Sequence, residues 1–394
     1  MSYKNSAYVK ITEGCSNHCS FCAIPLIRGE LRSRPADEII AEIKSLLARG
    51  VFEINLIGQD LAAYGTESAQ AENCGKTKTA AAGSVGKTKT AGGNALTESV
   101  CKPKTGAALT ENCGKTKKGA VSPLAALLKK ISALKGRFWV RLLYIHPDHF
   151  NPDILDVLKS DPRILPYFDI PFQSGDDGVI RAMNRKNSAV YYKKLVKTIR
   201  AQFKDAALRT TFLAGFPGES DEAAANTLDF LRAIEPDWSG AFSYSKEDDT
   251  PAALMKKQVA KKTAAARVAA LQDAQEKITS ARLAARVRQG KKFLEYDVLV
   301  EEVFDDSASA KDSAKTNEAA ANKKALQDQE GAANKNRVPD QEGAASYAIG
   351  RAWFQAPEVD GNIVIRAARV KEGAVVKVRA VAVSGVDIYA ELLG

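Results

Sequence analysis

Six short runs along the chain are apolar and rich in β-branched or aromatic residues: Ala7–Thr12, Glu53–Gly58, Phe138–Ile145, Tyr167–Phe172, Leu208–Gly215 and Trp238–Tyr244. Between them, apolar positions recur at helical spacing over Ala36–Arg49, Pro123–Leu134, Pro152–Lys159, Ser188–Phe203 and Ser220–Ile234. Near-continuous apolar runs mark strands buried on both faces, and parallel strands need a crossover helix to join them. The alternation predicts an α/β fold: a six-stranded parallel sheet of βαβ units, open or curled into a partial (β/α) barrel. In such folds the chemistry sits at the carboxyl ends of the strands. After Pro251 an Ala-, Lys- and Arg-rich helical stretch runs to about Gln289. Beyond it, Lys291–Phe304 and Ser346–Leu393 read as short strands with glycine turns, a small C-terminal β-barrel.

Two segments interrupt this pattern. Thr66–Ser122 runs through near-repeats such as ENCGKTKTAAAG and ENCGKTKKGA, without aromatic residues, and 305–345 repeats DQEGAA and AANK. Neither can bury enough apolar surface to offset its ordering entropy, so both are expected to be low-complexity surface insertions. The expected organisation is a core over 1–258 carrying the insertion 66–122, a helical connection over 259–289, and a β-barrel over 290–394 carrying the insertion 305–345. The 394 residues carry a formal charge of +10. That surplus permits a polyanionic partner but speaks mainly to solubility. No run approaches the ~18 apolar residues of a membrane span, and MSYKNSAYVK lacks the apolar centre of a signal peptide, so a cytoplasmic chain with no membrane partner is expected.

Six cysteines stand at 15, 19, 22, 74, 101 and 113, and the first three fall within one short loop after the first predicted strand, EGCSNHCSFC. The spacing C-x3-C-x2-C has no fourth cysteine nearby. Three thiolates can hold three irons of a four-iron, four-sulfide cluster and leave the fourth iron open for a substrate. Structural zinc is the alternative; it usually takes four protein ligands, and His18, adjacent to Cys19, is poorly placed to be the fourth.

These residues carry a resemblance. The cysteine triad after the first of six strands is similar to the radical S-adenosylmethionine (SAM) superfamily. More narrowly, EGCSNHCSFCAIPLIRGELRSRP (Glu13–Pro35) resembles the methylthiotransferases. LIGQDLAAYG (Leu56–Gly65), FWVRLLYIHP (Phe138–Pro147), DIPFQSG (Asp169–Gly175), AMNRKNS (Ala182–Ser188), RTTFLAGFPGES (Arg209–Ser220) and FSYSKEDDTPAA (Phe242–Ala253) also fit that family. The tail resembles its TRAM β-barrel. AIPLIRG, the GQD triplet, LLYIHP and APEVDG (Ala356–Gly361) resemble the RimO-type enzymes, which modify an aspartate of ribosomal protein uS12. QSG is closer to the MiaB-like enzymes, which modify adenosine in tRNA. Arg286–Phe304 balances four basic against four acidic residues, and Ser346–Gly394 has six basic and five acidic. A grip on RNA relies on clustered positive charge, so the balance favours the protein substrate over tRNA.

The resemblance implies a partial radical SAM barrel followed by a TRAM-like barrel. It implies a 4Fe-4S cluster on Cys15, Cys19 and Cys22, with SAM chelating the open iron. It also implies an electron donor protein and, as partner, uS12 or the small ribosomal subunit. Reductive cleavage of SAM yields a radical able to take hydrogen from an unactivated carbon, as methylthio transfer to the β-carbon of an aspartate requires. Phe21, Gly58, Gln59, Gln173 and Gly215 are the candidate cofactor-binding residues, with Arg141 and Tyr144 behind them. From position alone each equally suits turn geometry or core packing. Full-length relatives begin with a further domain whose three cysteines hold a second cluster. Those ligands are expected to be absent here, because Cys74, Cys101 and Cys113 are spaced too widely for a compact site. Alone, the chain is then expected to cleave SAM without completing methylthiolation. A non-catalytic ribosome- or RNA-binding remnant is the rival reading.

Gly-Lys-Thr at Gly75, Gly86 and Gly114 lacks the earlier glycine and leading strand of a phosphate loop. His146 and His149 are expected to be loop histidines, since Pro147 breaks any helix that would align them on a metal.

Overall fold

The computed structural model describes residues 4–67, 121–304, 347–366 and 370–393. The low-complexity segments lie almost wholly outside these, as do Cys74, Cys101 and Cys113. Their expected edges do not: Glu67 accepts hydrogen bonds from Ser33 N–H (2.7 Å) and Oγ (3.0 Å), and Ser122 caps a helix.

Six strands form one parallel sheet in sequence order: β1 (Ser6–Lys10), β2 (Glu53–Ile57), β3 (Trp139–Leu142), β4 (Ile164–Asp169), β5 (Ala207–Ala214) and β6 (Trp238–Ser243). Among the described residues, eight α-helices accompany them: α1 (Ile24–Arg28), α2 (Ala36–Ala48), α3 (Pro123–Ser132), α4 (Asp153–Ser160), α5 (Asp177–Ala182), α6 (Ala189–Gln202), α7 (Asp221–Ile234) and α8 (Lys261–Arg286). Their starts follow from the sequence. Ser122, Ser188 and Ser220 each accept a hydrogen bond from the backbone N–H three residues on, capping α3, α6 and α7, and Asp176 caps α5. Two-residue pairings flank the main elements; Thr12–Glu13 pairs with Arg32–Ser33 and brackets the cysteine loop.

Each strand sends alternate side chains to opposite faces. One face packs Val9, Ile11, Ile54, Leu56, Val140, Leu142, Phe168, Leu208 and Phe212 against the helices. The other packs Tyr167, Leu165, Ala207 and Trp238 against a closed five-stranded barrel. That barrel comprises β7 (Glu295–Phe304), β8 (Tyr347–Arg351), β9 (Ile363–Arg366), β10 (Val375–Ser384) and β11 (Asp387–Leu392), in the order β7-β8-β9-β11-β10. Only the β9–β11 pairing is parallel.

Buried charge joins barrel to sheet. Glu53 accepts from Arg141 Nε (3.1 Å) and Nη2 (2.9 Å), and from Arg351 Nη2 (2.7 Å); Arg351 Nε also donates to Glu301 (2.6 Å). Burial alone would push Glu53 up, but the two guanidiniums outweigh it and hold its carboxyl well below the usual range. The long helix is secured by polar contacts. Gln275 and Thr279 donate to the carbonyls of Pro236 (2.9 Å) and Asp237 (2.8 Å), while Arg282 and Arg286 pair with the Asp237 carboxylate. It ends at Arg286, before the expected Gln289, because Arg288–Gln289 pairs with Lys292–Phe293 across Gly290. Strand β3 is shorter than the expected Phe138–Ile145, since Tyr144 turns the backbone to φ 67°. Among the described residues, no helix is long and apolar enough to cross a membrane.

Candidate functional site

The chain leaves β1, pairs briefly through Thr12–Glu13, and turns at Gly14 into the cysteine loop. Gly14 has φ 73°, and a Cβ there would meet the Glu30 carbonyl oxygen at 2.2 Å, so only glycine fits. The loop is tied down on several sides. Ser20 Oγ donates to the Ala182 carbonyl (2.8 Å), and the Ser20 N–H to that of Met183 (3.1 Å). Asn184 Nδ2 donates to the His18 carbonyl (2.8 Å), and the Ala252 N–H to that of Ser20 (2.8 Å). The AMNRKNS and TPAA stretches thus act as clamps on the loop.

Cys15, Cys19 and Cys22 are free thiols bordering one cavity of about 310 Å³. Phe21, Gly58, Gln59, Tyr144, His146, Gln173 and Arg185 share its wall. The cavity lies where β2, β3 and β4 end, as expected for a parallel sheet. Burial pushes the Cys15 thiol up to about 11 and raises Cys19 as well, so binding a metal must displace their protons. Gln59 Oε1 is buried with no hydrogen-bond partner among the described residues, an acceptor open to a donor from outside the chain. Three thiols and this orphaned acceptor around one pocket fit a three-cysteine iron–sulfur cluster with a polar ligand beside it. The fit is in donor chemistry: soft sulfur for iron, and an amide oxygen for an amine or hydroxyl.

Gln173 has φ 69°, and its backbone is pinned to β5 by Gln173 N–H to Thr211 O (2.8 Å) and Leu213 N–H to Gln173 O (2.9 Å). Gly58 also borders the pocket, and a Cβ on it would lie 2.0 Å from Thr12 Oγ1, so close packing explains that glycine too. Phe21 packs between Val179, Met183, Phe216 and Ala252 while facing the cavity. Gly215 does not reach the cavity wall. Its N–H donates to Glu219, and a Cβ there would meet Ala264 Cβ at 2.4 Å, which makes it a contact with α8. Arg141 lies away from the pocket as well, in the buried pairing with Glu53.

Asp60, the last residue of the GQD triplet, stands outside the candidate cofactor-binding residues, yet its side chain organises the site. Its Oδ1 accepts from the backbone N–H groups of Ala62 (3.0 Å) and His146 (3.1 Å); its Oδ2 accepts from Asn17 Nδ2 (3.0 Å) and His149 Nδ1 (2.6 Å). One buried carboxylate therefore joins the end of β2, the cysteine loop and the loop after β3. Burial opposes its charge, but the His149 hydrogen bond and both histidines lower its pKa overall. His146 and His149 do lie in a loop, yet Asp60 gathers both without a helix. Ligand atoms of the three lie within 4.8 Å of one another. The 2.6 Å contact is that of a hydrogen bond, with Asp60 and His149 serving each other rather than an ion. His146 is buried, and burial, reinforced by Arg185, lowers its pKa to about 3, so the ring is neutral. The signal for Asp60 was its position in the GQD triplet, directly after a strand.

Residues 9–231 match the Radical SAM superfamily and residues 338–393 the TRAM domain. The chain is 42% identical to a protein of Treponema denticola named ribosomal protein uS12 methylthiotransferase RimO, over 99% of this chain and 70% of that one. Proteins of the same name from Carboxydothermus hydrogenoformans and Sorangium cellulosum are 31% and 30% identical, over 97% and 98% of this chain. The chain spans 66% and 62% of those two. With a superfamily match over most of the sheet and a relative so similar along its length, the chain belongs to the radical SAM superfamily and, within it, to the RimO-type methylthiotransferases.

Proposed function

We propose that this chain is the radical SAM and TRAM portion of a methylthiotransferase acting on ribosomal protein uS12, at the β-carbon of an aspartate. The single observation that carries the reading is the meeting of Cys15, Cys19 and Cys22 on one cavity at the strand ends, in a chain of this family. Cys15, Cys19 and Cys22 are assigned as ligands of a 4Fe-4S cluster. Phe21, Gly58, Gln59 and Gln173 are assigned to the SAM side of the pocket, whereas Gly215 is better read as a packing residue. When bound, the cluster supplies the electron that cleaves SAM.

The chain's own contribution is to hold and orient. Gln59 Oε1 accepts a hydrogen bond from the ligand, Phe21 offers an apolar face, and the clamps from Ala182–Asn184 and Ala252 hold the loop whose three cysteines border the cavity. Asp60 fixes that loop against the strand ends, so the geometry exists before the ligand arrives. Cytoplasmic location, an electron donor protein and uS12 as partner follow from the same reading. So does the division into a core over 1–258, a helical connection over 259–289 and a barrel over 290–394.

The test is anaerobic reconstitution of this chain beside a Cys15/Cys19/Cys22→Ala triple variant, counting iron and, with dithionite and SAM, 5′-deoxyadenosine. About four irons per chain and SAM cleavage, both lost in the variant, are expected. Iron that survives the variant would place a cluster elsewhere. No iron in either protein would leave the binding-protein rival.

A further inference from the structure

After β3 the backbone turns at Tyr144 and again at Pro147, and this delivers the His146 ring to the cysteine loop. Its Nε2 lies 3.8 Å from Cys19 Sγ, a distance within reach of a hydrogen bond to sulfur. The other ring nitrogen settles which partner donates. The backbone N–H of Asp148 donates to His146 Nδ1 at 3.2 Å. A neutral imidazole carries one ring proton, and a nitrogen that accepts has none, so the proton sits on Nε2 and points at the sulfur. The ring is held in that pose from its own backbone, whose N–H donates to Asp60 Oδ1, and the residue is 9% exposed.

We propose that His146 is a positioning residue for the cluster, donating an Nε2–H···S hydrogen bond to the Cys19 thiolate and thereby raising the cluster's reduction potential. The proposal rests on the reading of Cys19 as an iron ligand. A donor on a ligand sulfur stabilises the extra negative charge of the reduced cluster, and such bonds are among the levers that set iron–sulfur potentials. Arg185 also acts on Cys19. It does so through its charge and through a side-chain hydrogen bond, while its Nη1 donates to the Pro171 carbonyl at 2.6 Å. Because His146 Nδ1 accepts the Asp148 N–H, the ring's influence is directional and depends on one proton, on Nε2.

The experiment compares reconstituted wild type, His146→Leu and His146→Gln, with iron counted and midpoint potentials taken by EPR-monitored titration without SAM. At equal iron, the Leu variant is expected to titrate at a lower potential, and the Gln variant, which keeps an N–H donor, to recover part of the shift. An unchanged potential in His146→Leu at full iron overturns the proposal. If that variant fails to hold iron, protein labelled with 15N-histidine in a His18→Asn background decides. Pulsed EPR of the reduced cluster should show a weak 15N coupling that disappears in His146→Gln, and its absence, or its survival in His146→Gln, overturns the proposal. No iron in wild type would overturn the cofactor reading and this assignment with it; full iron with an unmoved potential overturns this assignment alone.

Discussion

Single residues in this chain often serve two elements at once, and Asp360 shows what that costs. It lies in APEVDG, where its Oδ2 accepts from the Tyr167 hydroxyl (2.6 Å) and the Ala356 N–H (2.7 Å), fastening a barrel loop to β4. Arg209 lies 3.5 Å from its other oxygen. Burial wins over that partial pairing and pushes the carboxyl up from 3.8 to about 6. A group that holds its proton more tightly when folded stabilises the fold fully below pH 3.8 and loses that contribution as pH rises through about 6. Asp360→Asn keeps an acceptor and cannot ionise. Its stability relative to wild type should therefore rise between pH 4 and 6, by roughly 1–3 kcal/mol. Urea unfolding across that window reads the difference; a constant offset would remove Asp360 from the account. Glu53 and Asp237, whose pKa values are lowered, act with the opposite sign at lower pH.

Between elements, the seam of Arg141, Glu53, Arg351 and Glu301 joins β3, β2, β8 and β7. All four side chains are essentially buried, so each charge depends on its partners. Removing one cation strands carboxylates in a dry interface, a loss of about 3–5 kcal/mol. Arg351→Leu should lower unfolding stability by that order. Arg351→Lys should recover only part, because one ammonium cannot reproduce a fork bonded to Glu53, Glu301 and the Gln355 carbonyl. Equal stability of Arg351→Leu and wild type would show that hydrophobic packing alone seats the barrel. The seam also explains why Arg141, a candidate for the site, is absent from it. Its position near a strand end is shared by pocket and seam residues alike, and only the face it projects from separates them.

For the whole molecule, charge distribution bears on partner choice. The barrel balances its charges despite the surplus along the full chain. RNA binding draws most of its free energy from neutralised phosphates and weakens steeply with salt. Binding of tRNA by this chain should therefore be weak at physiological salt, while uS12 should bind with a shallow salt dependence. Filter binding over a salt series checks this, and tight, steeply salt-dependent tRNA binding would favour the tRNA-modifying reading.

The alternation of apolar strands and amphipathic helices determined the parallel α/β sheet, and short strands with glycine turns the appended barrel, because burial periodicity is a local property of the chain. The cysteine loop was legible for the same reason: its three cysteines fall within eight residues of one segment, Cys15 to Cys22. Gln59 and Gln173 border one cavity because strand ends in a parallel sheet lie side by side. What only the tertiary structure decided is which side chains meet across long separations. Asp60 gathers Asn17, His146 and His149, Gly215 faces Ala264 rather than the pocket, and Arg141 meets Arg351 at Glu53. None of these contacts leaves a period or a spacing in the sequence. They arise where loops from separate βαβ units, and a barrel more than two hundred residues away, pack on one sheet.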